Sequence, residues 1–222
     1  MIITRLEGGL GNSMFQYALG RYLSIKTGSE LQFDVSSYKY NALADCSFWL
    51  EGFNIDIKSR LADERDVRRF KKYQTRMGRR WFWYNILIAD EKKFVKEKGF
   101  AFDPIVLKLD GSDMYVSGWW QTEKYFSAIR HQLLKDFTVR KPLEGRNASA
   151  AKDIVESNSI GIHIRRADYV QNPKTRHYHG ELPQRYYDEA IAHITKRHVD
   201  PVLFIFSDDI SSARKQYSFP FK

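Results

Sequence analysis

Residues 159–170 read SIGIHIRRADYV. Alternation predicts a strand over Ser159–Ile164, with Ile160, Ile162 and Ile164 on one face and Gly161, His163 and Arg165 on the other. The strand runs straight into Arg165 and Arg166, with His163 just before them and Asp168 just after. In an open α/β sheet, ligands lie outside the carboxyl ends of the strands. Paired guanidinium groups at such an end therefore mark a binding edge.

A matching end follows. Pro183 suits a first helical turn, and Tyr187, Ala190, Ile191 and Ile194 continue at i, i+3, i+4 and i+7. Asp200-Pro201 stops that helix. Val202–Phe206 is then a strand of five apolar residues, closed by Ser207, Asp208 and Asp209. A continuous apolar run predicts a parallel sheet covered on both faces. A right-handed βαβ crossover brings the two strand ends together. One mouth then holds two cations and two carboxylates, and a further helix begins near Ser211–Ser212.

That combination suits a nucleoside diphosphate. Arginine forks bind phosphate oxygens with charge-assisted hydrogen bonds, and Asp208 or Asp209 accepts from a ribose hydroxyl or a base N–H. The alternative is ion pairing among these four residues. His163 fits a structural role as well as a catalytic one, and Asp168 fits the orientation of an arginine.

The amino-terminal third has the same grammar. Met1–Leu6 is β-rich, Glu7–Gly11 is a glycine turn, and a helix follows with Asn12 as its cap and Met14, Phe15, Ala18, Leu19, Tyr22 and Ile25 at helical spacing. Gly28 suits its end, and Leu31–Val35 reads as the next strand. Gly9 and Gly11 let a ligand approach the backbone at a helix N-terminus. With Asp34 closing the second strand the turn resembles a dinucleotide fingerprint. That fingerprint needs a small residue where Met14 stands, which argues against an NAD-dependent oxidoreductase.

Between these ends, helices and loops are expected over Ser59–Lys98. The basic, aromatic stretch Val67–Trp83 could grip nucleic acid or lie on an anionic membrane. A solvated helix with its aromatic face in the core is the reading adopted. Met114–Gly118 is a predicted strand. Thr122 is expected to cap a helix reaching Phe137, with Tyr125, Phe126, Ile129, Leu133 and Leu134 on one side. The stretch 141–150 is the linker candidate, dividing the chain into residues 1–145 and 155–222. His177, His179 and Glu181 lack a metal-ligand spacing, so no metal is expected.

Composition limits the rest. The 222 residues carry a net charge of +9 and are 43% hydrophobic, too apolar for disorder and biased toward anionic partners. No run of about 20 apolar residues occurs. The single Cys46 excludes an internal disulfide framework. MIITRLEGGLGN lacks the features of a signal peptide, so a cytoplasmic location is expected, with peripheral attachment to the inner face of the membrane through the basic patch.

Five stretches carry a resemblance: GGLGNSMFQYALGRYL at the start, SGWWQTEKYF at 117–126, IHIRRADYV at 162–170, LPQRYYDEAI at 182–191 and LFIFSDD at 203–209. Together they resemble the family 11 glycosyltransferases, the bacterial-type α-1,2-fucosyltransferases. The resemblance implies a metal-independent, inverting enzyme of GT-B type, with two Rossmann-like α/β domains facing each other across a cleft. It implies GDP-β-L-fucose as donor, no cofactor, a β-galactoside glycan as acceptor, and no nucleic acid. By similarity Arg165 and Arg166 bind the pyrophosphate, Asp208 or Asp209 the guanosine, and Asn12 reaches the donor or acceptor from the first domain. Glu7, His163 and Asp168 are candidates for the base. The chain departs from the pattern at Ser13, where the family usually has glutamine. A serine-rich element with Ser-Trp-Trp-Gly is expected beyond the SDD strand, so the chain reads as C-terminally truncated with an incomplete second domain. In the family that element completes the donor domain, so its loss bears on whether the fragment is active.

Overall fold

The computed structural model describes residues 1–39, 49–76, 81–166, 177, 180 and 182–219. It divides into two units, Met1–Lys141 and Pro142–Lys222.

In the first unit β1 (Ile2–Arg5) is followed by α1 (Leu10–Thr27) and β2 (Leu31–Asp34). Later come α2 (Glu64–Lys71), α3 (Phe82–Leu87), β3 (Phe94–Lys96), β4 (Met114–Ser117) and α4 (Arg130–Asp136). The sheet is wholly parallel in the order β2-β1-β4-β3, with Ile2 opposite Leu31 and Met114, and Phe94 opposite Tyr115.

Alternation along β1 decides how this sheet is covered. Ile2 packs with Leu19, Leu23, Leu31, Phe33, Met114 and Val116, and its neighbour Ile3 packs with Val67, Phe70, Phe94 and Tyr115. The two side chains point to opposite faces, so α1 lies on one and α2 on the other. Gly20 is what lets α1 lie flat. A Cβ there would sit 2.2 Å from Thr4 Oγ1 and 2.9 Å from Leu31 Cδ1. In α2 only Val67 and Phe70 are buried; the Asp63 side chain accepts from the Arg65 amide to start the helix, and charged residues face solvent. Burying a phenylalanine of this kind contributes about 2–3 kcal/mol. Asp136 ties α4 to α1, accepting from the Tyr17 hydroxyl at 2.8 Å and Arg21 Nε at 3.2 Å.

The second unit contains α5 (Gly145–Glu156), β5 (Ser159–Ile164), α6 (Gln184–Thr195), β6 (Val202–Ser207) and α7 (Ile210–Gln216). β5 and β6 pair in parallel from Ser159 opposite Val202 to Ile164 opposite Ser207. Ile162 and Ile164 pack with Tyr187, Ile191, Ala213 and Tyr217. Among the described residues this covers one face only. Ser159, Gly161 and His163 are exposed, as is Phe206 at 52%. The apolar run of β6 had predicted burial on both.

Local boundaries differ from expectation in four places. α1 begins at Leu10 with Gly9 as its cap, so Asn12 lies within the first turn. Thr122 caps a single 3-10 turn, Glu123–Tyr125, and a second such turn, Ser127–Ile129, precedes α4. The linker candidate is half helix, because α5 starts at Gly145. β3 had not been foreseen; only Phe94 and Val95 are buried in it, and pairing with β4 makes it a strand.

Candidate functional site

The carboxyl edge of the second unit gathers most of the predicted residues. The Ile164–Ser207 register sets the turn after β5 beside the turn after β6. A hydrogen bond of 2.7 Å from the Arg166 backbone amide to Asp208 Oδ1 joins them. The two arginines then diverge. Arg165 is exposed, on the alternation face shared with exposed His163. Arg166 is half-buried, its guanidinium carbon 6.0 Å from the centre of the Tyr217 ring. That ring is anchored in the core, and its hydroxyl donates to the Leu182 carbonyl at 2.8 Å.

Asp209 serves the backbone first. Its carboxylate caps α7, accepting from the Ser212 amide at 3.0 Å and the Ser212 hydroxyl at 2.6 Å, and its own amide donates to Ser207 Oγ at 3.1 Å. The Ser212 hydroxyl, then the Ser212 amide and the Arg166 charge, hold its carboxyl below the ordinary aspartate range. The SDD turn is thus a braced structure: Ser207 and Asp209 shape it, and Asp208 reaches across to the arginine turn. Asp168 lies outside the described residues, as do His179 and Glu181. Among the described residues no group of three His, Cys, Asp or Glu side chains is placed to hold a metal.

The first unit has its own carboxyl edge. β1 has β2 on one side and β4 on the other, and the chain reverses direction across the sheet between them. Such a switch point opens a crevice beyond the strand ends. The glycine turn after β1 and residues 118–121 after β4 meet there. Gln121 Nε2 donates to Asn12 Oδ1 at 2.7 Å. Gln16 closes the gap behind them, accepting from the Glu7 amide at 2.9 Å and donating to the Gly118 carbonyl at 3.2 Å. A Cβ added at Gly9 or Gly11 would meet nothing within 4 Å, so the outer side of the turn is open. Ser13, the departure from the family pattern, is buried; its hydroxyl donates to the Gly9 carbonyl at 3.2 Å and lies 2.8 Å from the Tyr38 hydroxyl.

Sequence reasoning gave no role to Glu97 or Gln121. Glu97 Oε2 accepts from the Trp119 amide at 2.6 Å and Oε1 from the Trp120 amide at 3.0 Å. Trp120 needs such support, because its φ of 56° lies in the left-handed region that non-glycine residues rarely occupy. Gly118 makes room for the clamp; a Cβ there would fall 2.4 Å from Glu97 Cβ. Glu97 had no sequence signal, since its partners are backbone amides. Gln121 could have been found from its position just past a strand end.

Asp34 closes off another reading. It is 3% exposed and accepts from the Tyr115 hydroxyl at 2.6 Å and the Ser36 amide at 2.9 Å, with Lys71 Nζ 3.4 Å away. Burial pushes this carboxyl up, but Tyr115, Ser36 and Lys71 outweigh it and hold it below the usual aspartate range. Burial and the adjacent Asp34 push the Tyr115 hydroxyl strongly up. An acid so engaged does not serve a cofactor ribose.

Comparison with known proteins identifies the family. The profile of "Glycosyl transferase family 11" matches residues 50–220, spanning β3 to β6 and both turns of the second unit's edge. The chain belongs to glycosyltransferase family 11. It is similar to the alpha-1,2-colitosyltransferase of Escherichia coli, at 32% identity over 97% of this chain and 71% of that protein. It is also similar to the O-antigen biosynthesis glycosyltransferase WbnK of Escherichia coli, at 28% identity over 96% of this chain and 74% of that one. A mouse protein, galactoside 2-alpha-L-fucosyltransferase Sec1, is 28% identical over 41% of this chain and 26% of its own length. No solved structure gives a significant match. As a family 11 member the chain is a glycosyltransferase, which sets aside the oxidoreductase and nucleic-acid alternatives.

Proposed function

We propose that this glycosyltransferase moves L-fucose from GDP-β-L-fucose to a galactoside hydroxyl in α-1,2 linkage, with inversion and without a metal, in the synthesis of a surface glycan. The GT-B organisation is part of the proposal: residues 155–222 serve the donor and residues 1–145 the acceptor. The supporting observation is the hydrogen bond between the Arg166 amide and Asp208, which ties a cationic turn to an acidic one at a single sheet edge.

The chemistry assigns the roles. Departure of GDP builds negative charge on the leaving phosphate, and fixed guanidinium groups aimed at it stabilise the transition state. Arg165, the exposed one, is the catalytic candidate; Arg166, packed beside Tyr217, steadies the diphosphate. Asp208 and Ser207 face the nucleoside, and Asp209 shapes the turn that presents them. On the acceptor side Asn12, held by Gln121, orients the sugar, and Gly9 and Gly11 admit it to the backbone. Proton removal falls to His163, Asp168 or Glu7.

The test is a titration of GDP and GDP-fucose, with and without magnesium, against wild type and Arg165→Ala. We expect magnesium-independent binding, about tenfold weaker in the variant, and turnover about 10²–10³ lower. Equal affinity in the two proteins would overturn the donor-site assignment. The colitosyl group named for one relative makes GDP-colitose the second donor for the same titration.

A further inference from the structure

Residues 81–90 read WFWYNILIAD, and α3 covers Phe82–Leu87. At helical spacing Trp83, Ile86 and Leu87 share one face, with Tyr84 and Asn85 on the other. A surface helix ordinarily turns its apolar face inward. α3 does the reverse.

Its polar face is the docked one. The Tyr84 hydroxyl donates to the Lys72 carbonyl. Asn85 brackets the Arg76 backbone, donating from Nδ2 to the carbonyl at 2.7 Å and accepting at Oδ1 from the amide at 2.9 Å. The Arg76 guanidinium lies over the Tyr84 ring at 4.7 Å. Outward, Trp83, Ile86 and Leu87 are 70%, 58% and 76% exposed. The expected burial of the aromatic face holds for Phe70 but not for Trp83.

The charge of the sequence flanking this ridge points to its occupant. Residues 64–98 contain twelve lysines and arginines against five acidic residues, a net +7 out of the chain's +9. Two of these lysines, Lys72 and Lys93, sit over the Tyr73 ring at 4.9 and 4.8 Å, and the Lys72 carbonyl is the acceptor for the Tyr84 hydroxyl of α3. A nucleic acid would use the cations and could stack on Trp83, but it has no use for Ile86 and Leu87. An anionic bilayer uses all of them: aliphatic and indole groups enter the headgroup boundary while lysines and arginines meet lipid phosphates. No described helix is long and apolar enough to cross a membrane.

We propose that α3 is an interfacial anchor, which inserts Trp83, Ile86 and Leu87 into the surface of an anionic phospholipid bilayer, with the surrounding basic residues on its headgroups. The proposal holds whatever the donor sugar. It is tested by floating the full chain with vesicles of phosphatidylcholine alone or mixed with phosphatidylglycerol. Wild type is expected to float with the mixed vesicles and not with the neutral ones. Trp83→Ser/Leu87→Ser should weaken that binding at least about tenfold, and Arg68→Glu/Lys92→Glu should do the same through lost charge. Both variants replace exposed positions and should melt with the wild type. Three results would overturn the proposal: no binding of wild type to anionic vesicles, unchanged binding by the serine variant, or a wild-type dimer that the serine variant dissolves without any vesicle binding. The last would make the ridge a contact between two copies of this chain.

Discussion

The two sheets begin alike and are finished differently. In the first unit a helix covers each face of four parallel strands, and consecutive residues Ile2 and Ile3 are both 0% exposed. In the second, two parallel strands bury Ile160, Ile162 and Ile164 and leave Gly161 and His163 outside. A covered sheet can hold loops rigidly, because the groups that brace them are themselves fixed. The first unit's edge is accordingly knitted by side chains from far along the sequence, with Gln16, Glu97 and Gln121 each reaching another turn. At the second unit's edge the Arg166 amide donates to the Asp208 side chain, and a helix cap shapes the turn that carries Asp208. The proposed acceptor site is therefore preorganised by its scaffold.

Matched glycine substitutions should expose that contrast most strongly. Gly20→Ala places a Cβ 2.2 Å from Thr4 Oγ1, both atoms deep between helix and sheet. Overpacking there should cost about 3 kcal/mol. Gly161→Ala meets nothing within 4 Å and should stabilise by about 0.5 kcal/mol, since alanine loses less backbone entropy on folding. Urea titrations read by hydrogen exchange on peptides from β1 and β5 separate the two. Equal losses would mean that the face bearing Gly161 is covered after all.

How far each unit could be read in advance follows from the same contrast. Strands β1, β2, β5 and β6 were visible because alternation or an apolar run marked them, and Arg165, Arg166, Asp208 and Asp209 were visible because charge stands at their ends. β3 was not, since three residues with two buried side chains become a strand only by pairing with β4. Periodicity could show that α3 has an apolar stripe but not that Asn85 and Tyr84 would claim the inward side. Glu97 was beyond reach for a different reason. Hydrogen bonds to backbone amides 22 and 23 residues away leave no pattern of side-chain types.

Acid should act on the covered sheet through Asp34. Its carboxyl is held below its ordinary range in the folded protein. The stability it contributes is therefore complete above the unfolded aspartate value of about 4, and is lost as pH falls through the lower folded value. Asp34→Ala strands the buried Tyr115 hydroxyl and should cost about 2–3 kcal/mol at neutral pH. The gap between wild type and variant should narrow only below about pH 4. Asp209 shifts in the same direction, yet it sits on a helix cap that is only half-buried, so the second unit should respond less. A gap that closes nearer neutrality would assign the titration to another group.

The subtlest prediction concerns whether bracing in the first unit serves binding or merely folding. Glu97 touches no predicted site residue; it holds the Trp119 and Trp120 amides, and the chain then passes to Gln121, which holds Asn12. If Asn12 orients the acceptor, loosening the clamp should blur that orientation and leave the donor site alone. Glu97→Ala should raise KM for a β-galactoside about tenfold, near 1.4 kcal/mol, with GDP affinity unchanged. Glu97→Gln keeps one accepting oxygen but points an NH2 at the second amide, so it should recover part of the loss, to about threefold. A purely structural role would instead lower the melting temperature and reduce the active fraction, with KM unmoved. A fall in GDP affinity in step with the acceptor effect would show that the bracing in Met1–Lys141 also serves the donor, and the division of labour proposed for the two units would fail.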